Sequence, residues 1–163
     1  TDNLDNRLST DELNDVIQHL IDNDVVFKEN LKHRISHPET FKRPAQEDAR
    51  VCGVGMSTMC MVANGNVYPC AGWQRYVCGN LNDTSLSEIW NNSPAINYLR
   101  KLRLKDFKQC VGCKDFDYCT MCMSRNSNEN PDGNLFDIPE ITCKAAQIHH
   151  RLVDSYKERL CGD

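Results

Sequence analysis

The chain has 163 residues, a formal charge of −4 and 7% aromatic residues, a length that supports one domain, or one small domain with an appendage. The acidic balance argues against general nucleic-acid binding, which needs surplus Lys and Arg to neutralise phosphates. No stretch is apolar and long enough to span a bilayer, and none reads as a signal peptide.

Residues 1–51 carry no cysteine. Ser9 and Glu12 have capping-box spacing, and Leu13, Val16, Ile17, Leu20 and Ile21 then recur on one helical face. Val25, Val26, Phe27 and Leu31 either extend that helix or begin a second. Pro38 and Pro44 punctuate a polar stretch that reads as a linker, and His19, His33 and His37 are expected to face solvent rather than bind metal. The chain begins at Thr1 rather than Met, which reads as a fragment of a longer protein.

From Cys52 onward the character changes. Thr58 to Val62, Asn64-Gly65 and Val67 to Cys70 predict a β-hairpin with a type I′ turn. In that register Met59 pairs with Cys70, Met61 with Tyr68, and Cys60 falls opposite Pro69. Cys60 and Cys70 then face opposite sides of the ribbon, so a liganding Cys70 leaves Cys60 as a packed thiol. Ser85 with Glu88 opens a short helix containing Leu86, Ile89 and Trp90, and Ser93-Pro94 caps another. Ile96, Leu99 and Leu102 form the apolar stripe of that helix, with Arg100, Lys101 and Arg103 on its solvated side. Residues 124–141 are polar and aperiodic, with Pro131-Asp132-Gly133 as a turn. A last helix over about Cys143 to Leu160 packs through Ala146, Leu152, Val153 and Tyr156.

The ten cysteines decide the chemistry. Cys110, Cys113, Cys119 and Cys122 read C-x₂-C-x₅-C-x₂-C, two chelating pairs too close together for the long-spaced arrangement of structural zinc. Dense C-x₂-C runs suit iron–sulfur ligation, where one run serves two clusters. Cys52, Cys70 and Cys143 bring the count to one full site and one three-quarters site. A disulfide framework is the weaker reading of such pairs, and a reducing cytoplasm is the expected compartment. In a segment short of apolar runs, bound metal would replace missing core as a source of stability.

The strings Cys52-Gly53-Val54-Gly55, Gly65-Asn66-Val67-Tyr68-Pro69-Cys70, Gly79-Asn80-Leu81 and Ser85-Leu86-Ser87-Glu88-Ile89-Trp90, with the C-x₂-C run and a later lone cysteine, resemble the SPASM domain. SPASM is the C-terminal auxiliary-cluster domain of radical S-adenosylmethionine enzymes that modify peptides and proteins. The family pattern is C-x₉₋₁₅-G-x₄-C, C-x₂-C-x₅-C-x₃-C and a final C. This chain gives C-x₁₂-G-x₄-C, C-x₂-C-x₅-C-x₂-C and Cys143, one residue short between Cys119 and Cys122.

The resemblance implies an α+β domain, a β-hairpin with helices, stapled by two [4Fe–4S] clusters. Cys52, Cys70 and Cys122 would hold the first, with Cys78, Cys60 or no cysteine in fourth place and Cys78 favoured. Some family members use a cysteine ten residues before the glycine, where this chain has Gly55. Cys110, Cys113, Cys119 and Cys143 would hold the second, and Cys161 would be a free terminal thiol. No C-x₃-C occurs, so the radical-generating C-x₃-C-x₂-C and its S-adenosylmethionine would lie outside this chain. The implied division is a helical segment over 1–51 from the end of a radical SAM barrel or its linker, a SPASM domain over 52–146 and a C-terminal helix over 147–163. The implied partners are that barrel and a peptide or protein substrate, with no nucleic acid and no membrane. Trp73, Tyr68 and Tyr76 are read first as core and second as lining of a peptide groove. The competing function is a non-enzymatic zinc module that serves as an interaction scaffold.

Overall fold

A computed structural model describes residues 7–40 and 47–160. Among the described residues, six α-helices and a three-stranded antiparallel sheet make an α+β arrangement: α1 (Thr10–Asn23), α2 (Val25–Ser36), β1 (Cys60–Met61), β2 (Asn66–Tyr68), β3 (Gly79–Asn80), α3 (Leu86–Asn92), α4 (Pro94–Lys101), α5 (Met123–Glu129) and α6 (Glu140–Leu160). Pro44 and Cys161 lie outside the described residues. No described helix is long and apolar enough to cross a membrane.

The chain forms two compact units. A helical unit gathers the described parts of Thr1–Ala45, Gly112–Thr120 and Ile138–Asp163, and a sheet unit gathers those of Gln46–Val111 and Met121–Asp137.

In the helical unit the Ser9 capping box forms as predicted: Glu12 N–H donates to Ser9 Oγ (3.2 Å) and Ser9 N–H donates to Glu12 Oε2 (2.8 Å). Asp24 ends α1 and starts α2, its carboxylate accepting from Phe27 N–H at 2.8 Å. The apolar run at Val25 therefore opens a second helix. Ile21, Leu31, Ile148, Leu152 and Val153 are its buried core, with Leu13, Ile17, Phe27 and Tyr156 packed around them. Val16, Val25 and Val26 are exposed instead, as are His19, His33 and His37. Helix α6 starts three residues before the expected Cys143, at Glu140.

In the sheet unit the order is β1-β2-β3. The register is Cys60↔Tyr68 and Met61↔Val67, one residue away from the predicted pairing. A type I′ turn needs positive φ at both central residues. Of these two, Gly65 (φ +86°) has it and Asn64 does not, as no described non-glycine residue does. Gly65 N–H instead donates to Val62 O (2.9 Å) and Val62 N–H to Asn66 O (3.1 Å), closing a three-residue loop with glycine in the bulge position. Asn64 Oδ1 accepts from Asn66 N–H at 3.0 Å, an Asx turn that centres the reversal on Asn64 rather than between Asn64 and Gly65. Cys60 now shares a face with Tyr68. Strand β2 stops at Tyr68, so the loop orients Cys70, and the strand-face argument against Cys60 lapses.

Gly65→Ala should lower the urea midpoint of the chain, at a cost of about 1–2 kcal/mol for a left-handed residue bearing a Cβ. That Cβ would also sit 2.6 Å from Asn80 Oδ1 and 2.7 Å from Asn82 Nδ2. An unchanged midpoint would show that the turn re-forms around another residue.

Val67, Cys78, Ile89 and Ile96 make one buried cluster of this unit. The α4 stripe of Ile96, Leu99 and Leu102 is buried as expected. Ser85 and Ser93 cap α3 and α4 through their hydroxyls. Arg100 departs from the solvated role predicted for it: its Nε donates to Gly55 O at 2.7 Å and its guanidinium lies 4.7 Å from the centre of the Trp90 ring. Helix α5 was not foreseen, because its buried residues Met123, Ser124, Asn126 and Ser127 are mostly polar. Asn126 Nδ2 donates to Leu135 O at 2.9 Å, so this helix packs through hydrogen bonds.

Candidate metal centre

Three thiol-bearing segments of the sheet unit are tied to one another. Cys52 opens a tight loop in which Gly53 O accepts from Met56 and Ser57 N–H, each at 3.0 Å. Arg100 holds that loop through Gly55 O, and at its far end Thr58 Oγ1 donates to Pro69 O at 3.3 Å, next to Cys70. After Cys70 the chain turns, Trp73 N–H donating to Cys70 O at 3.1 Å. Gly72 lies against α5: a Cβ there would meet Ser124 Oγ at 3.2 Å, and Asn128 Nδ2 donates to Gly72 O at 2.7 Å. Arg75 closes the clasp, its Nη1 donating to Ser127 O (3.3 Å) and its Nη2 to Pro131 O (3.5 Å). Cys122 is the N-cap residue of that same α5.

The Cys122 thiol is prepared for ligation. Burial pushes its pKa up, but the Ser124 hydroxyl (3.4 Å) and the backbone N–H groups of Arg125 and Ser124 outweigh it, and the net shift is downward. Donors at a helix N-terminus stabilise the thiolate, which is the form that binds metal.

Cys78 has the opposite environment. It is buried against Val67, Ile89 and Ile96, and desolvation pushes its thiol up to about 11. Its Sγ lies 3.8 Å from Tyr76 O. Cys60 is half-buried on β1. Cys110 is buried behind Phe107, whose carbonyl accepts its N–H at 2.8 Å. Trp73 and Tyr68 are buried and Tyr76 packs on Trp73 with ring centres 4.8 Å apart, so these aromatics serve as core.

The helical unit carries Cys113, Cys119 and Cys143. Partial burial first, then the charges of Cys119, Cys113, Asp115 and Glu140, push the Cys143 thiol up. The Cys143 thiol therefore feels the charges of both Cys119 and Cys113. The loop bearing Cys113 and Cys119 is fastened to α6 and α2 by side chains that the sequence reading passed over. Asp115 Oδ1 lies 2.7 Å from His150 Nδ1, and Asp154 Oδ2 lies 3.1 Å from His150 Nε2. Tyr118 stacks on His150 with ring centres 4.2 Å apart, and Arg34 donates to Asp117 O. A histidine followed four residues later by an aspartate on one helix was the available signal, but its partner Asp115 is distant in sequence.

His149, its ring 5.7 Å from Tyr118, titrates below its ordinary value because of burial first and the Arg34 charge second; its contact with Tyr118 O works the other way. A histidine whose folded pKa is depressed contributes stability above its unfolded value of 6.5 and loses it as pH falls through the folded value. The melting temperature of the chain should fall as pH drops below about 6.5. His149→Phe should shrink that fall, and an equal slope in both proteins would exclude His149 as its source.

All nine described cysteines are free thiols. Among the described residues no three His, Cys, Asp or Glu side chains converge as a single-ion cage. Iron–sulfur clusters take thiolate ligands, and Cys122, already shifted toward its thiolate, suits that donor chemistry.

A family model described as SPASM, an iron–sulfur cluster-binding domain, matches residues 52–123. The matched span takes in every candidate ligand except Cys143. No curated protein and no solved structure matches the chain.

Proposed function

Residues 52–123 are a SPASM domain, an iron–sulfur cluster-binding domain, and from that premise we propose that this chain is the auxiliary-cluster portion of a radical S-adenosylmethionine enzyme acting on a peptide or protein. The observation that supports the reading is the clasp that ties the chain segments bearing Cys52, Cys70 and Cys122, far apart in sequence, to one another within one small unit. Those three are the proposed ligands of a first [4Fe–4S] cluster. Cys113, Cys119 and Cys143, joined by Cys110 of the same C-x₂-C run, are those of a second. When bound, such clusters supply one-electron transfer or a Lewis-acidic iron near the substrate. The residues of the chain hold the thiols as ligands, bury them in part and set the hydrogen bonds around the sulfurs, which together fix the potential.

The fourth place of the first cluster falls to Cys78 by sequence order. Its packing opposes that role, because liganding requires it to leave an apolar cluster and ionise. We therefore propose a first cluster with an iron left to a non-cysteine ligand or to substrate.

Anaerobic reconstitution tests the reading. The protein should turn brown, absorb broadly near about 400 nm and contain iron and acid-labile sulfide in equal amounts. Colourless protein with stoichiometric zinc and no sulfide would replace the reading with a zinc scaffold. The radical SAM partner is tested by sequence: an upstream C-x₃-C-x₂-C in the full reading frame is expected, with the barrel and this domain in one cytoplasmic enzyme.

A further inference from the structure

Trp73 is a fully buried large side chain, and its indole N–H has no hydrogen-bond partner among the described residues. A buried donor left unpaired is destabilising, and native proteins keep such groups where something outside the polypeptide satisfies them. The carbonyls along its own turn are engaged: Cys70 O accepts from Trp73 N–H, Gly72 O from Asn128 and Trp73 O from Tyr76 N–H. The other orphaned side-chain atoms of the sheet unit are Asn126 Oδ1 and Asn128 Oδ1. Those are acceptors, which water satisfies and a cluster sulfur does not. Trp73 alone among them offers a donor. It stands three residues after Cys70, in the segment that Asn128 and Arg75 clasp onto the helix capped by Cys122.

We infer that the Trp73 indole N–H donates to a sulfur of the cluster held by Cys52, Cys70 and Cys122, and that this bond raises the cluster's reduction potential. The inference rests on the cluster reading above. Its physical basis is charge: reduction adds an electron to the cluster, and a donor to sulfur stabilises the more negative state more than the oxidised one. Trp73 is then a positioning and tuning residue for electron transfer, and its burial keeps water from taking its place.

The test uses the full chain reconstituted anaerobically. Trp73→Phe keeps an aromatic ring and removes the N–H. It should retain wild-type iron and sulfide while the one-electron reduction equilibrium of one cluster becomes about tenfold less favourable, a fall of about 59 mV for one electron. The second measurement needs no core substitution at Trp73. With ¹⁵N-indole label, the Trp73 N–H resonance should move on cluster reduction much more than that of Trp90, with Trp90→Phe providing the assignment. Full iron with an unchanged potential, or equal movement of the two indole signals, overturns the inference and leaves the cluster reading intact. A wild-type chain that takes up no iron and sulfide overturns the cluster reading, and this inference with it.

Discussion

Replacing Cys122 by alanine should remove about half of the iron and sulfide bound after reconstitution, because each ligand set serves one cluster. Cys143→Ala should remove the other half. The two losses have different local causes. Cys122 sits where Ser124 and the first amides of α5 already favour its thiolate, so the variant discards a ligand prepared before metal arrives. Cys143 sits among Cys119 and Cys113, whose charges oppose its ionisation; iron relieves that repulsion, so the site depends on metal to hold three thiolates together. Each variant should also melt well below the wild type when both are loaded, since metal binding is folding free energy for a site unformed in the unfolded chain. The controls are Cys60→Ala, Cys78→Ala and Cys161→Ala, all expected to keep full iron. Cys78→Ala should still be less stable, by about 1 kcal/mol, for the buried volume it vacates. Iron loss from Cys78→Ala alone would make Cys78 the fourth ligand, and loss from Cys60→Ala alone would make it Cys60.

Phe107→Ala should destabilise the metal-free chain by about 3–5 kcal/mol, the range for a large aromatic deleted from a core. Phe107 is fully buried, its ring centre 5.3 Å from that of Phe136. Its backbone joins the Leu104 turn to Cys110, accepting the Cys110 N–H at 2.8 Å. Most small domains have only about 5–15 kcal/mol in total, so this one change takes a large share. Urea unfolding monitored by tryptophan fluorescence measures it. A loss under about 1 kcal/mol would mean that the surrounding side chains collapse into the vacated space. Reconstitution should restore part of the lost stability, because ligands that bind the folded state shift the equilibrium by mass action.

Local signals in the sequence were legible wherever a short-range rule governed the outcome. Ser9, Ser85 and Ser93 cap the helices they were expected to cap, since a hydroxyl reaching an amide two or three residues ahead needs no tertiary context. The cysteine spacing and the glycine before Cys70 carried the family. What escaped depended on partners far along the chain. Asn-Gly alone suggested a type I′ turn, whereas Asn80 and Asn82, both donating to Asn64 O, belong to a third strand and the turn after it that no hydrophobic pattern announced. Helix α5 hides its polar residues, so period counting finds nothing there. Arg100 reads as a surface charge until Gly55 and Trp90 are brought to it. The Asp115–His150 contact spans 35 residues and lies beyond any window-based reading.

The helical unit also sets an order of events during synthesis. Arg151 on α6 donates to Asn14 on α1 at 2.8 Å, across 137 positions of sequence. The apolar faces of α1 and α2 leave the ribosome before α6 and are buried only when Ile148, Leu152 and Val153 arrive. At a synthesis rate of about 5–20 residues per second, that wait lasts on the order of ten seconds. During it, the newborn chain presents an unfinished helix pair and a growing set of reactive thiols together. A chaperone or a cluster-delivery protein that engages the nascent chain would therefore meet both at once, and a ribosome stalled before residue 148 would expose them for as long as the stall lasts.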